Sequence, residues 1–335
     1  MPNAVIFGLS GPVLSDRERR FFAQSDPLGF ILFARNCEAP EQLRTLVESL
    51  REVVGREDAP ILIDQEGGRV ARLGPPHWRQ APPAAPFGAL AQRDLERAKQ
   101  AVRLNAHLIG SELTALGIDV DCAPVLDVPV PGSHDIIGDR AYSTDPALVG
   151  MLGRASVEGF LEAGVIPVVK HVPGHGRASV DSHLDLPVVQ TPLDELRRTD
   201  FVPFAALADA PWAMTAHVVY SAIDPDQPAT ISRKVVETII RREIGFDGVL
   251  VSDDLGMKAL SGEVGDRAAA ALAAGCDVAL HCGGAMDEMQ AVAAAVGPLG
   301  DASLVRLKRA KATAAKPGKV DLSATVSQLD ALMAD

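Results

Sequence analysis

The sequence predicts a single (β/α)8 barrel. Three observations point there. Short β-branched or apolar runs recur, each closed by Gly, Pro or polar residues, and helix-like stretches separate most of them, which is the pattern of a parallel sheet. About eight such units are present, enough to close a barrel. The length of 335 residues suits one barrel with a few insertions and can bury a large core without disulfides or metals.

The strands are expected at Ala4–Gly8, Gly29–Ala34, Pro60–Asp64, Ile118–Pro124, Val165–Lys170, Trp212–His217, Gly248–Ser252 and Val278–Cys282. They are nearly continuous apolar runs, as strands covered on both faces are. The first and last are the weakest, and without them an open doubly wound sheet is the alternative. Helices are expected between them, at Pro40–Val54, Leu95–Leu116, Pro146–Ala163, Leu193–Ala208, Ser232–Ile244 and Arg267–Ala274. Two loops break the rhythm, at about 128–146 and 172–192. Both follow strand C-termini, the face on which barrels build active sites, and long loops in compact domains are usually functional or disordered. The stretch from Lys316 to Asp335 is expected to end the chain as a helical tail, so that 1–335 form one domain.

Hydrophobic residues make up 47% of the chain but aromatics only 4%, so Ala, Val, Leu and Ile must fill the core. A net charge of −12 argues against nucleic acid or an anionic membrane as partner, since both require dense Lys and Arg. Cys37, Cys122, Cys276 and Cys282 form no C-x-x-C and read as free thiols in a reducing compartment. The N-terminus lacks a basic region, and no apolar stretch reaches transmembrane length. A cytoplasmic monomer without cofactor is expected.

Ionisable residues crowd the predicted strand ends. Asp64, Gln65 and Glu66 end the third strand, Asp127 lies just after the fourth, Lys170 and His171 end the fifth, His217 ends the sixth, and Asp253 and Asp254 end the seventh. Any one of them reads as a cap or loop anchor; Asp254 fits the N-cap of a following helix. The whole set at one end of apolar strands does not, because charges are seldom buried without partners. Asp253 follows the rigid run Gly248–Ser252 and is the candidate nucleophile, a carboxylate being suited to an oxocarbenium-like centre. In Asp181-Ser182-His183, two residues apart on an extended segment share a side, and a carboxylate beside an imidazole equips it for proton transfer. Such a triplet alone is most often a surface turn. Asp64 offers acceptors to sugar hydroxyls, and Arg72, Arg140 and Lys170 offer donors. For Arg140, local pairing with Asp139 is the bland alternative. His171 and His175 have metal-ligand spacing only on a helix, and Pro173 and Gly174 argue against one.

The strings Asp64-Gln65-Glu66-Gly67-Gly68-Arg69-Val70, Ile137-Gly138-Asp139-Arg140, Lys170-His171-Val172-Pro173-Gly174-His175-Gly176, Asp181-Ser182-His183 and Ser252-Asp253-Asp254-Leu255 resemble family 3 glycoside hydrolases, and within them the bacterial β-N-acetylglucosaminidases of peptidoglycan recycling. The motifs run in order over roughly residues 60–260. Val172, Gly256 and Arg177-Ala178 depart from the usual pattern without touching the proposed chemistry. The resemblance implies Asp253 as nucleophile and His183, assisted by Asp181, as acid/base on a mobile loop. It also implies that Asp64, Arg72, Arg140, Lys170 and His171 bind N-acetylglucosamine. The implied substrate carries it β-1,4-linked to 1,6-anhydro-N-acetylmuramic acid, with or without peptide. Three alternatives stay open: a phosphorylase of the same linkage, a metal-dependent barrel hydrolase using His171, His175, His183 and Asp253, and a non-catalytic sugar binder.

Overall fold

The computed structural model describes residues 1–182, 185–316, 318 and 321–334. Its apolar runs form eight parallel strands: β1 (Asn3–Phe7), β2 (Pro27–Leu32), β3 (Ile61–Ile63), β4 (Val120–Asp121), β5 (Ile166–Val172), β6 (Trp212–Thr215), β7 (Val249–Asp254) and β8 (Val278–His281). Each pairs with its sequence neighbours, and β1 pairs with β8, Val5 opposite Ala279, to close the barrel. The two weakest expected strands are therefore the ones that seal it, and the open-sheet alternative is excluded.

Alternate residues of each strand point inward. Ile6, Leu62, Val120, Val168, Trp212, Met214, Val249, Val251 and Leu280 fill the barrel interior. Intervening residues such as Val5, Phe7, Phe30, Val169 and Leu250 pack outward against the helices. The same alternation carries the interior face to the mouth. Two residues beyond Leu62, Val168 and Val251 stand Asp64, Lys170 and Asp253, all of which line the cavity there.

Helices cover the outside: α1 (Asp16–Ser25), α2 (Pro40–Val53), α3 (Ala85–Ala91), α4 (Leu95–Thr114), α5 (Pro146–Glu162), α6 (Leu193–Arg198), α7 (Phe201–Ala206), α8 (Val264–Ala274), α9 (Met286–Ala295), α10 (Asp301–Lys311) and α11 (Leu322–Met333). The tail helix α11 packs on α4, where the Arg97 guanidinium donates to the Leu332 carbonyl at 2.7 Å. None of the described helices is long and apolar enough to cross a membrane. The four cysteines are free, three of them buried and Cys37 half-buried.

Three helical expectations differ. Leu193–Ala208 is two helices, α6 and α7. Thr199 Oγ1 donates to Asp200 and receives the Arg177 guanidinium, drawing the chain out of the helix, and Pro203 adds no N–H to the second one. Val235–Glu243 is wound as a π-helix rather than continuing from Ser232 as an α-helix. The helix expected from Arg267 starts at Val264.

Candidate active site

The C-terminal mouth of the barrel holds a cavity of about 310 Å³. Asp64, Arg72, Arg140, Lys170, His171 and Asp253 all line it, together with Glu66, Arg69, His175, Ser182 and Asp254. Six of the eight residues singled out from sequence thus converge on one space. Of the other two, Asp181 is described and His183 lies outside the described residues.

The floor is a chain of alternating charge. Arg72 donates to Asp64 at 2.9 Å, and Lys170 donates to the other Asp64 oxygen at 2.9 Å. Lys170 also meets Glu66 at 2.7 Å, and both Glu66 oxygens accept from Arg140 at 2.8 Å. Burial opposes the charge on Asp64, but Lys170 and Arg72 outweigh it and hold the carboxyl well below its ordinary value. Burial likewise opposes the Glu66 charge, and Lys170 and Arg140 depress that carboxyl. Lys170 and Arg140 resist desolvation through the same acids and are held above their usual values. Asp64, Glu66, Lys170 and Arg140 are thus charged and fixed. Among the described residues Asp64 and Glu66 take two of the three Lys170 donors. Arg140 does not pair with Asp139, which meets Arg69 at 3.2 Å instead.

Asp253 ends the floor on the opposite strands. Its Oδ1 accepts the Asp254 N–H at 2.8 Å, and its own N–H reaches Thr215 Oγ1 at 3.4 Å. Burial opposes its ionisation, and His217, His171, the Asp254 N–H and Lys170 together keep it below its ordinary value. It is a carboxylate at neutral pH. Asp254 is spent differently: its Oδ1 accepts the N–H groups of Gly256 at 3.0 Å and Cys282 at 2.9 Å, so it caps the turn after β7 rather than a helix.

Sequence assigned no role to Glu66 or Asp127, although both stood among the strand-end acids. Asp127, fully buried, accepts His171 Nδ1 at 2.7 Å and the His175 N–H at 2.6 Å. Burial would raise its carboxyl, but His171 and the hydrogen bonds bring it down to about 2. The ionised Asp127 accepts the proton that His171 carries on Nδ1 and so fixes the orientation of the ring. Spacing to His171 and His175 gave no hint of this, because the acid comes from another strand.

The loop after β5 is fixed at its root. The Tyr220 hydroxyl donates to the Gly174 carbonyl at 2.5 Å, Arg177 meets Asp200 at 2.7 Å, and the His134 N–H donates to the Ala178 carbonyl at 2.8 Å. Gly176 has the Val128 carbonyl oxygen 2.1 Å from where a Cβ would stand. Farther out, Ser182 Oγ meets His175 Nε2 at 3.1 Å. Burial and the neighbouring His171 push His175 down to about 4, so this imidazole is neutral. The Asp185 N–H donates to the Asp181 carbonyl at 3.0 Å, and the expected pairing of Asp181 with His183 lies outside the described residues. The His171 and His175 rings lie 5.7 Å apart. Among the described residues no three His, Cys, Asp or Glu side chains are grouped as metal ligands.

Residues 13–310 match the glycosyl hydrolase family 3 N terminal domain. A β-hexosaminidase of Thiobacillus denitrificans is 42% identical over 286 residues, covering 83% of this chain and 77% of the relative. Another from Alkalilimnicola ehrlichii is 41% identical over 313 residues, covering 90% and 88%. Among solved structures, NagZ from Neisseria gonorrhoeae in complex with N-trifluoroacetyl-D-glucosamine superposes with a TM-score of 0.88 at 30% identity, covering 99% of this chain and 98% of that one.

Proposed function

The chain belongs to glycosyl hydrolase family 3 and is a glycoside hydrolase, and from that premise we propose that it is a retaining exo-β-N-acetylglucosaminidase acting on N-acetylglucosamine β-1,4-linked to 1,6-anhydro-N-acetylmuramic acid, with or without peptide. The observation that carries the reading is Asp253: an ionised carboxylate, tied to its backbone, in a small cavity whose floor is otherwise an alternating row of hydrogen-bonding charges. A cavity of about 310 Å³ suits one terminal sugar. The names of the relatives support the glucosaminide, and muropeptide recycling in the cytoplasm by a single barrel domain is the setting proposed.

In this mechanism Asp64, Arg72, Arg140, Lys170 and His171 hold the sugar hydroxyls. Asp253 attacks the anomeric carbon while His183, assisted by Asp181, protonates the departing glycosidic oxygen. Water then attacks the glycosyl–Asp253 ester, giving its proton to His183, and the Asp253 carboxylate leaves. Two inversions retain configuration.

Product analysis on the anhydro-disaccharide and on chitobiose, each with and without phosphate, tests the proposal. Free β-N-acetylglucosamine as first product supports it, and sugar 1-phosphate identifies a phosphorylase. Turnover that disappears on exhaustive chelation and returns with metal overturns the metal-free reading. Asp253→Ala is expected to lose turnover while still binding N-acetylglucosamine. His183→Ala is expected to spare activated aryl glycosides more than the disaccharide.

A further inference from the structure

We propose that His217, with Thr215 and Thr230, is a positioning residue that locks the Asp253 carboxylate in place through a one-way relay of hydrogen bonds; the inference rests on reading Asp253 as the nucleophile. All three side chains are fully buried. Thr215 ends β6, His217 lies two residues on, and Thr230 comes from the short 3₁₀ turn Ala229–Ile231. The contacts run in series: Asp253 N to Thr215 Oγ1 at 3.4 Å, Thr215 Oγ1 to Thr230 Oγ1 at 2.8 Å, Thr230 Oγ1 to His217 Nδ1 at 2.7 Å, and His217 Nε2 to the Asp254 carbonyl at 2.9 Å.

The donors follow from valence. A carbonyl only accepts, so His217 Nε2 carries the proton. Burial holds this imidazole below its ordinary value, and in its neutral form Nδ1 must accept, which assigns the Thr230 hydroxyl proton to it at 2.7 Å rather than to the Ala216 carbonyl at 3.1 Å. Thr230 then accepts from Thr215, and Thr215 accepts from the Asp253 N–H. The relay begins and ends on the two residues whose shared peptide N–H holds Asp253 Oδ1 at 2.8 Å. The peptide that fixes the carboxylate is therefore clamped on both sides, by Thr215 at the end of β6 and by His217 just beyond it. His217 touches neither the carboxylate oxygens by hydrogen bond nor the site of a substrate, so it acts only through Asp253 and Asp254.

The test compares wild type, His217→Leu, His217→Gln, Thr230→Val and Asp253→Ala on p-nitrophenyl N-acetyl-β-glucosaminide, with N-acetylglucosamine affinity and active-site titration alongside. Misplacing a reacting group by a fraction of its contact distance is expected to lower kcat by about 100-fold in His217→Leu and Thr230→Val, with KM and sugar affinity near wild type. His217→Gln, whose amide N–H can reach the Asp254 carbonyl, is expected to recover most of the loss. A merely structural role would lower the titratable fraction but leave kcat per active site intact, and that result overturns the proposal. Glutamine as poor as leucine also overturns it. If His217→Leu does not fold, Thr230→Val and His217→Gln decide. Loss in Asp253→Ala with none in Thr230→Val sinks the relay alone, whereas full activity in Asp253→Ala sinks the nucleophile reading as well.

Discussion

Glu66→Gln tests the charge chain. The substitution keeps shape and one acceptor but removes a charge that serves Lys170 at 2.7 Å and Arg140 at 2.8 Å through two oxygens. The side chains are nearly buried, 8% exposed for Glu66, 10% for Arg140 and 3% for Lys170. Breaking a buried pair costs about 3–5 kcal/mol. Lys170 keeps Asp64 and the amide oxygen still accepts, so about 3 kcal/mol is expected, the lower end of that range. Unfolding entropy of about 2.1 cal/mol/K per residue over 335 residues gives about 0.7 kcal/mol/K, so Tm falls by about 4 °C at neutral pH. The sign with pH is fixed. The folded Glu66 carboxyl lies below its unfolded value, so its contribution is present above the unfolded pKa and is lost as pH falls through the folded one. The Tm gap between wild type and variant should therefore be full at neutral pH and shrink on acidification below about 4.3, the ordinary Glu value. Differential scanning calorimetry across pH, with N-acetylglucosamine affinity by calorimetric titration, measures both. Equal Tm and equal sugar affinity at neutral pH would refute the claim that Glu66 holds Arg140 and Lys170 in place.

Asp121 lies fully buried, and burial pushes its carboxyl up to about 8 despite the Gln65 N–H it accepts at 2.9 Å. A raised carboxyl contributes stability below the unfolded pKa that is lost as pH climbs to the folded one, so wild-type stability should fall from about pH 4, the ordinary Asp value, to about pH 8. Asp121→Asn should flatten that slope in thermal melts; an unchanged slope would rule Asp121 out as its source. Gly176→Ala would set a Cβ 2.1 Å from the Val128 carbonyl oxygen, so about 1–3 kcal/mol of stability and most of the turnover should be lost. Wild-type melting and rate in that variant would show that the loop root is not fixed there. Ser182→Ala removes the hydrogen bond to His175 at 3.1 Å, worth about 1 kcal/mol, or about fivefold in kcat/KM for the disaccharide if the loop must dock to act. No change in kcat/KM would disconnect that contact from catalysis.

Much of this was readable in one dimension. Apolar runs such as Val278–His281 are strands because β-branched and aliphatic side chains fit a sheet covered on both faces, and the helices between them fix parallel pairing. Strand alternation then puts Lys170 on the side of Val168, and Asp253 on the side of Val251, without reference to any other part of the chain. The broken helix at Thr199 and Asp200 was not legible, because Arg177, which helps hold the break, comes from a different loop. Nor was the division of labour between Asp253 and Asp254. Adjacent identical residues differ only in what surrounds them, and the Cys282 N–H that occupies Asp254 belongs to the segment after β8.

The sequence by itself determined the barrel and which residues crowd its mouth, since both follow from periodicity within short segments. Only the tertiary structure decided who pairs with whom. Arg140 meets Glu66 across 74 positions and Lys170 meets Asp64 across 106, while the adjacent Asp139 turns to Arg69. Coulomb energy and hydrogen bonding depend on distance through space, and closure of the barrel sets that distance.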